Sequence, residues 1–276
     1  MWGVSRGPAE ARALPNLTPM HSQSPAPPGT QTLHRGLRVI TAVAEGATDL
    51  KKIVEVTGVS RSTTHRLLQL LTAEGYLRKG GENTYSLGPT LIEYGFLALQ
   101  QNPVPFVART VLERLSEKYK DTVHLAIRDD QDVLYIDKIP SLRGAEMRSR
   151  IGYRMPLTRT GIGKALLLDE EEEVWQEIFD SESRKEEGAE ERLKFMDSMR
   201  KYERMGATMD MEENEPGIRC VAAPIRDGSF SVVAALSIAA TRPYMPRERM
   251  RALVPVVCEA AREISSRLGY PRGRGA

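Results

Sequence analysis

Residues 60–66, SRSTTHR, carry two arginines and four hydroxyl side chains immediately ahead of a leucine-rich run at Leu67, Leu68, Leu70 and Leu71. Guanidinium and hydroxyl groups are the donors that meet phosphate oxygens and base edges, and the first turns of a recognition helix are where such contacts are made. Gly58 can adopt the left-handed conformation that ends one helix, and Ser60 can cap the next by accepting a backbone N–H bond. The stretch therefore predicts the turn and second helix of a helix-turn-helix, with Ser60, Arg61, Ser62, Thr63, Thr64 and Arg66 as DNA-contacting candidates and double-stranded DNA as partner. An ordinary amphipathic helix pair joined at a glycine gives the same local pattern.

A second constellation is Thr160, Gly161, Ile162, Gly163 and Lys164. Glycines at a helix start expose backbone N–H groups at the positive end of the helix dipole, which suits a carboxylate. It is not a nucleotide P-loop, since Thr158 stands where that motif needs Gly and Ala165 where it needs Ser or Thr. It is not a dinucleotide fingerprint either, because Leu166 occupies the third glycine position. The histidines at 21, 34, 65 and 124 show no metal-ligand spacing, no nucleophile elbow occurs, and Cys220 and Cys258 are too few for a metal cluster or a disulfide framework. No catalytic residue, metal or cofactor is expected, and the cysteine usage suits a reducing, cytoplasmic setting.

The elements that would position these groups follow from periodicity. Leu33, Leu37, Ile40 and Val43 recur at helical spacing, and Leu50, Ile53 and Val54 form a short second helix capped by Asp49. After the third helix, residues 76–78 and 84–87 alternate like two strands around a Gly-rich tip, a wing that brings Arg78 and Lys79 to phosphates or simply covers the helices. The run LGPTLIEYGFLALQQ is apolar almost all round, more than a solvated linker tolerates, and Pro103 and Pro105 end it. Beyond it, strands are expected near 122–128, 133–139, 145–151, 220–225 and 231–239. Helices are expected near 162–168, 171–179 and 190–204, with a final one over 247–268 kinked at Pro255. The fold class is α+β: a winged helix-turn-helix followed by an antiparallel sheet with packed helices. The predicted division is a disordered lead over 1–30, in which Met20 is an alternative start, then a DNA-binding domain over 31–88, a linker helix over 89–102 and a second domain over 103–270.

Global charge decides little, because 39 basic residues face 37 acidic ones. Residues 31–88 hold eight basic side chains against five acidic, a local excess of three that favours DNA only mildly. No apolar run approaches a membrane span, so no membrane partner is expected.

The segments TGVSRSTTHRLL, RTGIGKALL, EENEPGIRCVAAPIRD and SVVAALSIAA, in this order over residues 30–268, resemble the IclR family of bacterial transcriptional regulators. The resemblance implies a GAF-like C-terminal domain that binds a small organic acid and an assembly that is a homodimer or a dimer of dimers. Carried over by position, it puts Gly161, Ile162, Asp210, Cys220 and Ser237 around the effector, beside Thr160 and Gly163; Ala239 removes one possible donor. Asp210 accepts hydrogen bonds from hydroxyls, so a hydroxylated acid such as a sugar acid is the expected class. Cys220 and Ser237 are equally good as small packing residues, and Arg148, Arg150, Arg154 and Arg159 are further candidates to neutralise an acid. The expected function is a repressor of a catabolic operon, with effector binding altering the spacing of paired reading helices. Two alternatives are a ligand-binding protein that uses its winged helix for protein contacts and a small-molecule enzyme.

Overall fold

The computed structural model describes residues 27–101, 103–143, 147–183 and 188–271, so most of the predicted N-terminal lead, including Met20, lies outside the described residues. The chain divides into two compact units, with the boundary between residues 101 and 102.

The first unit begins with α1 (Gln31–Ala44), α2 (Leu50–Thr57) and α3 (Arg61–Ala73). Asp49 caps α2 by accepting from the Lys52 N–H at 2.9 Å, and Gly58 ends it in the left-handed region at φ 65°. Ser60 then caps α3. Strands β1 (Leu77–Lys79) and β2 (Tyr85–Leu87) pair antiparallel around a 3-10 turn at Gly81–Asn83. A bridge from Asp49 to Thr84 fastens this hairpin to the turn before α2. The core comprises Val39, Ala42, Val43, Ile53, Leu67, Leu68, Leu77 and Tyr85. The apolar face of α1 is rotated from the one its leucines suggest: Gly36, Val39, Ala42 and Val43 are inside, whereas Leu33 and Leu37 are exposed. Leu67 of α3 packs on this face beside Gly36, where a Cβ would meet it at an ordinary contact distance of 3.8 Å. On α3, Leu70 is likewise exposed. Helix α4 (Pro89–Gln101) follows, its start tied by the Thr90 hydroxyl donating to the Glu74 carbonyl at 3.1 Å.

The second unit is a six-stranded antiparallel sheet in the order β5-β4-β3-β8-β7-β6. Its strands are β3 (Thr122–Asp129), β4 (Asp132–Ile139), β5 (Arg154–Pro156), β6 (Thr208–Met211), β7 (Ile218–Arg226) and β8 (Val232–Thr241). One face carries α5 (Val104–Tyr119) and α9 (Arg247–Arg267), packed on Val123, Leu125, Val221, Ala223, Leu236 and Ile238. The other carries α6 (Gly161–Leu166), α7 (Glu172–Glu182) and α8 (Ala189–Met205), packed on Ala126, Val133, Tyr135, Ala222 and Ala235. Because both faces are covered, β7 and β8 are apolar at successive positions and not merely at alternate ones. Pro224 is tolerated because β6 pairs only with residues 219–222 of β7, leaving that part of β7 on an open edge. Helix α9 runs unbroken through Pro255.

One predicted strand is corrected. Residues 144–146 lie outside the described residues, and 147–151 form a loop in place of the expected strand. The Lys138 ammonium occupies the carbonyls of Met147 and Ser149, at 2.9 and 2.5 Å, where a ladder would otherwise form. The edge strand lies further on, where Arg154, Met155 and Pro156 pair with Leu134, Val133 and Asp132. The four-residue β6 was not legible in the sequence, since it is too short to show alternation.

Candidate functional site

Two clusters of polar side chains stand apart from ordinary surface. The first lies at the start of α3. Ser60, Arg61, Ser62, Arg66 and, on the hairpin, Arg78 and Lys79 are all exposed, and Thr63 is half-buried. The Ser60 hydroxyl donates to Thr63 Oγ1 at 2.9 Å and accepts from the Thr63 N–H at 3.4 Å, so its main task is to shape the helix start. Thr64 separates from the group. It is fully buried, its hydroxyl donating to the Val59 carbonyl at 3.2 Å, so it braces the turn and does not share the open face with its neighbours.

Charge is distributed unevenly between the units. Among the described residues of the first, the only ion pair is Lys52 with Asp49, at 3.9 Å. Arg35, Arg38, Arg61, Arg66, Arg78 and Lys79 have no carboxylate partner there. In the second unit, by contrast, arginines are engaged: Arg109 by Asp137, Arg128 by Glu170, Arg219 by Glu212, Arg226 by Asp169 and Arg249 by Asp121. The net excess of three charges in the first unit is therefore carried mainly by side chains that are not locked into ion pairs.

The second cluster lies between the sheet and α6. Asp210 of β6 stands opposite Cys220 of β7, which stands opposite Ala239 of β8 and so Thr122 of β3. In the next row Thr208, Ala222, Ser237 and His124 are partnered in turn. Strand alternation puts both rows on the α6 side. The small side chains in them let α6 approach closely, and its glycines answer to the same need. A side-chain carbon at Gly161 would stand 2.5 Å from Cys220 Sγ, and one at Gly163 would overlap the Leu157 backbone. The Thr160 hydroxyl accepts from the Gly163 N–H at 3.0 Å, so one N–H of this six-residue helix is already satisfied within the chain. Ile162 is buried in the layer between α6 and the sheet.

Electrostatics mark this cluster as costly. Burial pushes the Asp210 carboxyl up from its ordinary 3.8 to about 6, against the opposing pull of Lys164 and of the Glu212 and Glu213 N–H groups that donate to Oδ1 at 2.9 and 2.8 Å. Asp210 Oδ2 has no hydrogen-bond partner among the described residues. Burial likewise raises the Cys220 thiol and the Tyr135 hydroxyl, so both are neutral, and Cys220 is no nucleophile. Burial and the Lys138 charge lower His124 from 6.5 to about 3, leaving the ring neutral between Ser149 Oγ at 2.7 Å and Ser237 Oγ at 3.4 Å. The Thr122 hydroxyl is buried without a partner.

Sequence reasoning missed several of these groups. His124 and Thr122 alternate with Ala126 on a buried strand, and polar residues at that period were the available signal. Lys164 is nearly fully buried, ion-paired to Glu213 and 5.6 Å from the centre of the Tyr202 ring. It is a buried cation on this face, which it shares with Lys138, opposite His124 in the ladder. The arginines proposed for that role point elsewhere: Arg154 is held by Asp129 and Asp132, Arg159 donates to the Glu182 carbonyl, and Arg148 is exposed near Glu215.

Comparison with known proteins follows the same division. Residues 32–81 match the IclR helix-turn-helix domain, and residues 96–266 match the C-terminal domain of the bacterial transcriptional regulator IclR. The HTH-type transcriptional regulator KdgR of Escherichia coli (strain K12) is 36% identical over 232 residues, 82% of this chain and 86% of the relative. The acetate operon repressor of Salmonella typhimurium is 29% identical over 262 residues, 92% of this chain and 96% of the relative. The crystal structure of the Thermotoga maritima IclR superposes with a TM-score of 0.73 at 28% identity, covering 87% of this chain and all of that one.

Asp210 and His124 give opposite pH dependences. With a folded value of about 6 above an unfolded 3.8, ionised Asp210 costs stability that grows as pH rises between those values, by up to roughly 3 kcal/mol. With a folded value of about 3 below 6.5, His124 costs stability as pH falls below 6.5. Asp210→Asn removes only the first, so its thermal midpoint should climb more steeply than that of the parent between about pH 4 and 6. Parallel curves for the two proteins would show that the Asp210 carboxyl is not perturbed by its site.

Proposed function

The chain belongs to the IclR family of bacterial transcriptional regulators, a family of DNA-binding proteins and not of enzymes, and from that premise we propose a cytoplasmic repressor of a catabolic operon whose operator affinity is set by a small hydroxylated acid. The observation that carries the DNA assignment is the unpaired cationic face around α3 and the hairpin. Arg61, Arg66, Ser62 and Thr63 are the residues we assign to the groove, with Arg78 and Lys79 on flanking phosphates. The name of the acetate operon repressor, which aligns over nearly the full length, supports the sign of regulation. Among the described residues no helix is long and apolar enough to cross a membrane.

For the effector we assign the cluster between α6 and the sheet. Asp210 Oδ2, Ser237 Oγ and the unpartnered Thr122 hydroxyl favour a ligand rich in hydroxyl groups, and buried Lys164 supplies positive charge for an acid. Gly161, Gly163 and Cys220 act there by being small, Thr160 by capping α6, and Ile162 as apolar wall. These features support the sugar-acid class. A homodimer, or a dimer of dimers, is supported by the apolar side chains left in solvent on α4: Ile92 is 75% exposed, and Tyr94, Phe96 and Leu97 are each more than half exposed. Pairing two α3 helices at one DNA turn makes affinity depend on their spacing, and an effector shifts that equilibrium only by its preference for one arrangement.

In a mobility-shift assay on DNA upstream of its own operon, Arg61→Ala/Arg66→Ala should lose specific binding, by about 1–3 kcal/mol for each base-reading arginine. Retained sequence preference in the double variant would defeat the assignment of α3.

A thermal-shift screen of sugar acids against aromatic acids should find a stabilising sugar acid, worth about 2.7 kcal/mol at a hundredfold excess over Kd, whose effect shrinks in Ser237→Ala. An acid that stabilises the protein but leaves DNA affinity unchanged contradicts the coupling.

Sedimentation velocity should show the parent as a dimer or larger and Ile92→Asp/Phe96→Asp as a smaller species. Identical sedimentation of the two would remove α4 from the interface.

A further inference from the structure

In the first unit, α1 and the turn leading into α3 enclose a cleft of about 310 Å³. Its α1 wall is formed by Gln31, His34, Arg35 and Arg38, which stand at i, i+3, i+4 and i+7 and so occupy one stripe of the helix. The turn side is lined by Thr57, Gly58, Val59, Ser60 and Thr63. No acidic residue lines it. Neither Arg35 nor Arg38 has a carboxylate partner among the described residues, a condition they share with Arg61 and Arg66 of α3. The orientation of the stripe is fixed, because Gly36, Val39 and Val43 on the adjoining face of α1 are locked in the core.

Two guanidinium groups, an imidazole, a carboxamide and two hydroxyls line a space of this size, none carrying negative charge; the Ser60 hydrogen is already given to Thr63 Oγ1, so the guanidinium groups are the principal donors. That chemistry matches a phosphodiester. The cleft also opens beside the first turn of α3, where the strand flanking a groove-bound helix must run.

We propose that this cleft is a phosphate seat: it takes a backbone phosphate of the DNA strand next to the groove that α3 enters, with Arg35 and Arg38 as its paired ligands. The seat rests on the DNA-binding reading of α3 but is distinct from it, because it fixes register and supplies affinity without reading bases. Guanidinium forks suit bidentate phosphate binding in a way that ammonium groups do not.

The test is the salt dependence of DNA binding, measured by fluorescence anisotropy on a short duplex of mixed sequence and on a fragment selected for specific binding. Arg35→Ala/Arg38→Ala should weaken both by the same factor, tenfold or more, and lower the slope of log K against log salt by about 0.9, the change expected for one phosphate charge no longer neutralised. Arg35→Lys/Arg38→Lys should keep the slope at reduced affinity. Far-UV circular dichroism and the thermal midpoint check folding; if the double variant unfolds, Arg35→Gln and Arg38→Gln singly should each show about half of the slope change. An unchanged slope and affinity in a folded variant, beside a salt-dependent parent, overturns the seat and leaves the α3 assignment standing. Weakened binding to the selected fragment alone overturns it as well, since that would make the arginines base readers. A parent protein with no affinity for either duplex overturns both readings together.

Discussion

Burial of both faces of the six-stranded sheet is the constraint from which most of the second unit follows. With α5 and α9 on one side and α6, α7 and α8 on the other, the middle residues of β3, β7 and β8 have no route to water on either face, and only the strand ends are partly open. Apolar residues satisfy that condition at nearly every position, so the exceptions are conspicuous. Thr122, His124, Thr208, Asp210 and Ser237 are all polar, all buried and all on the α6 face. A polar group in such surroundings costs free energy unless it is hydrogen-bonded, and an ionised one costs more. Asp210 with its raised pKa and Thr122 with an unpartnered hydroxyl show that the cost is not fully offset within the chain. Packing alone would have selected alanine or valine there.

The first unit is governed by a different imbalance. Its core is small, and caps fix where its helices begin: Asp49 and Ser60 start α2 and α3, Gly58 turns the chain between them, and Thr64 braces that turn from inside. Local chemistry at these positions is spent on geometry. What remains for the surface is a set of cations with nothing to neutralise them. Exposed ion pairs contribute little to stability, so their absence here has a small thermodynamic cost. Their absence has a large electrostatic effect, because each free guanidinium retains its whole field for an external anion.

Legibility followed the range of the interactions involved. The helix-turn-helix was readable because capping and left-handed turns are decided by neighbours within four residues, as at Asp49, Gly58 and Ser60. The two long strands were readable because β7 and β8 are apolar over most of their length. Failures came where a distant interaction decided the outcome. Residues 147–151 alternate plausibly as a strand, yet the Lys138 side chain takes their carbonyls, and nothing local announces that. The face of α1 was misjudged because its inward residues include Gly36 and Ala42, small side chains that a pattern read from the leucines does not register. At the site, Gly161 and Lys164 were read directly from the run over residues 160–164, and Asp210, Cys220 and Ser237 were reached through a resemblance, whereas Lys164 was given no role as a buried cation and His124 was passed over because it is isolated in sequence from the others. The glycines of α6 were interpreted as an anion cradle, but the close approach of Gly161 to Cys220 and of Gly163 to Leu157 accounts for them by packing.

The buried polar cluster and the uncompensated cationic face express one physical strategy in two places. Each keeps a group in a condition that the chain itself does not relieve, and each is thereby sensitive to something outside. A hydroxyl-bearing ligand of the proposed kind, supplying hydrogen bonds to Asp210 Oδ2 and Thr122, would relieve the first. A phosphate backbone relieves the second, with counterion release as the driving force. Sensitivity of this kind requires that the surrounding structure not collapse onto the strained group. The close-packed layer of α6 on small side chains provides that rigidity in the second unit, and the locked stripe of Gly36, Val39 and Val43 provides it for α1. A looser scaffold would let Lys164 reach Asp210 directly, or let a glutamate swing onto Arg35 or Arg38, and each would silence the site by satisfying it.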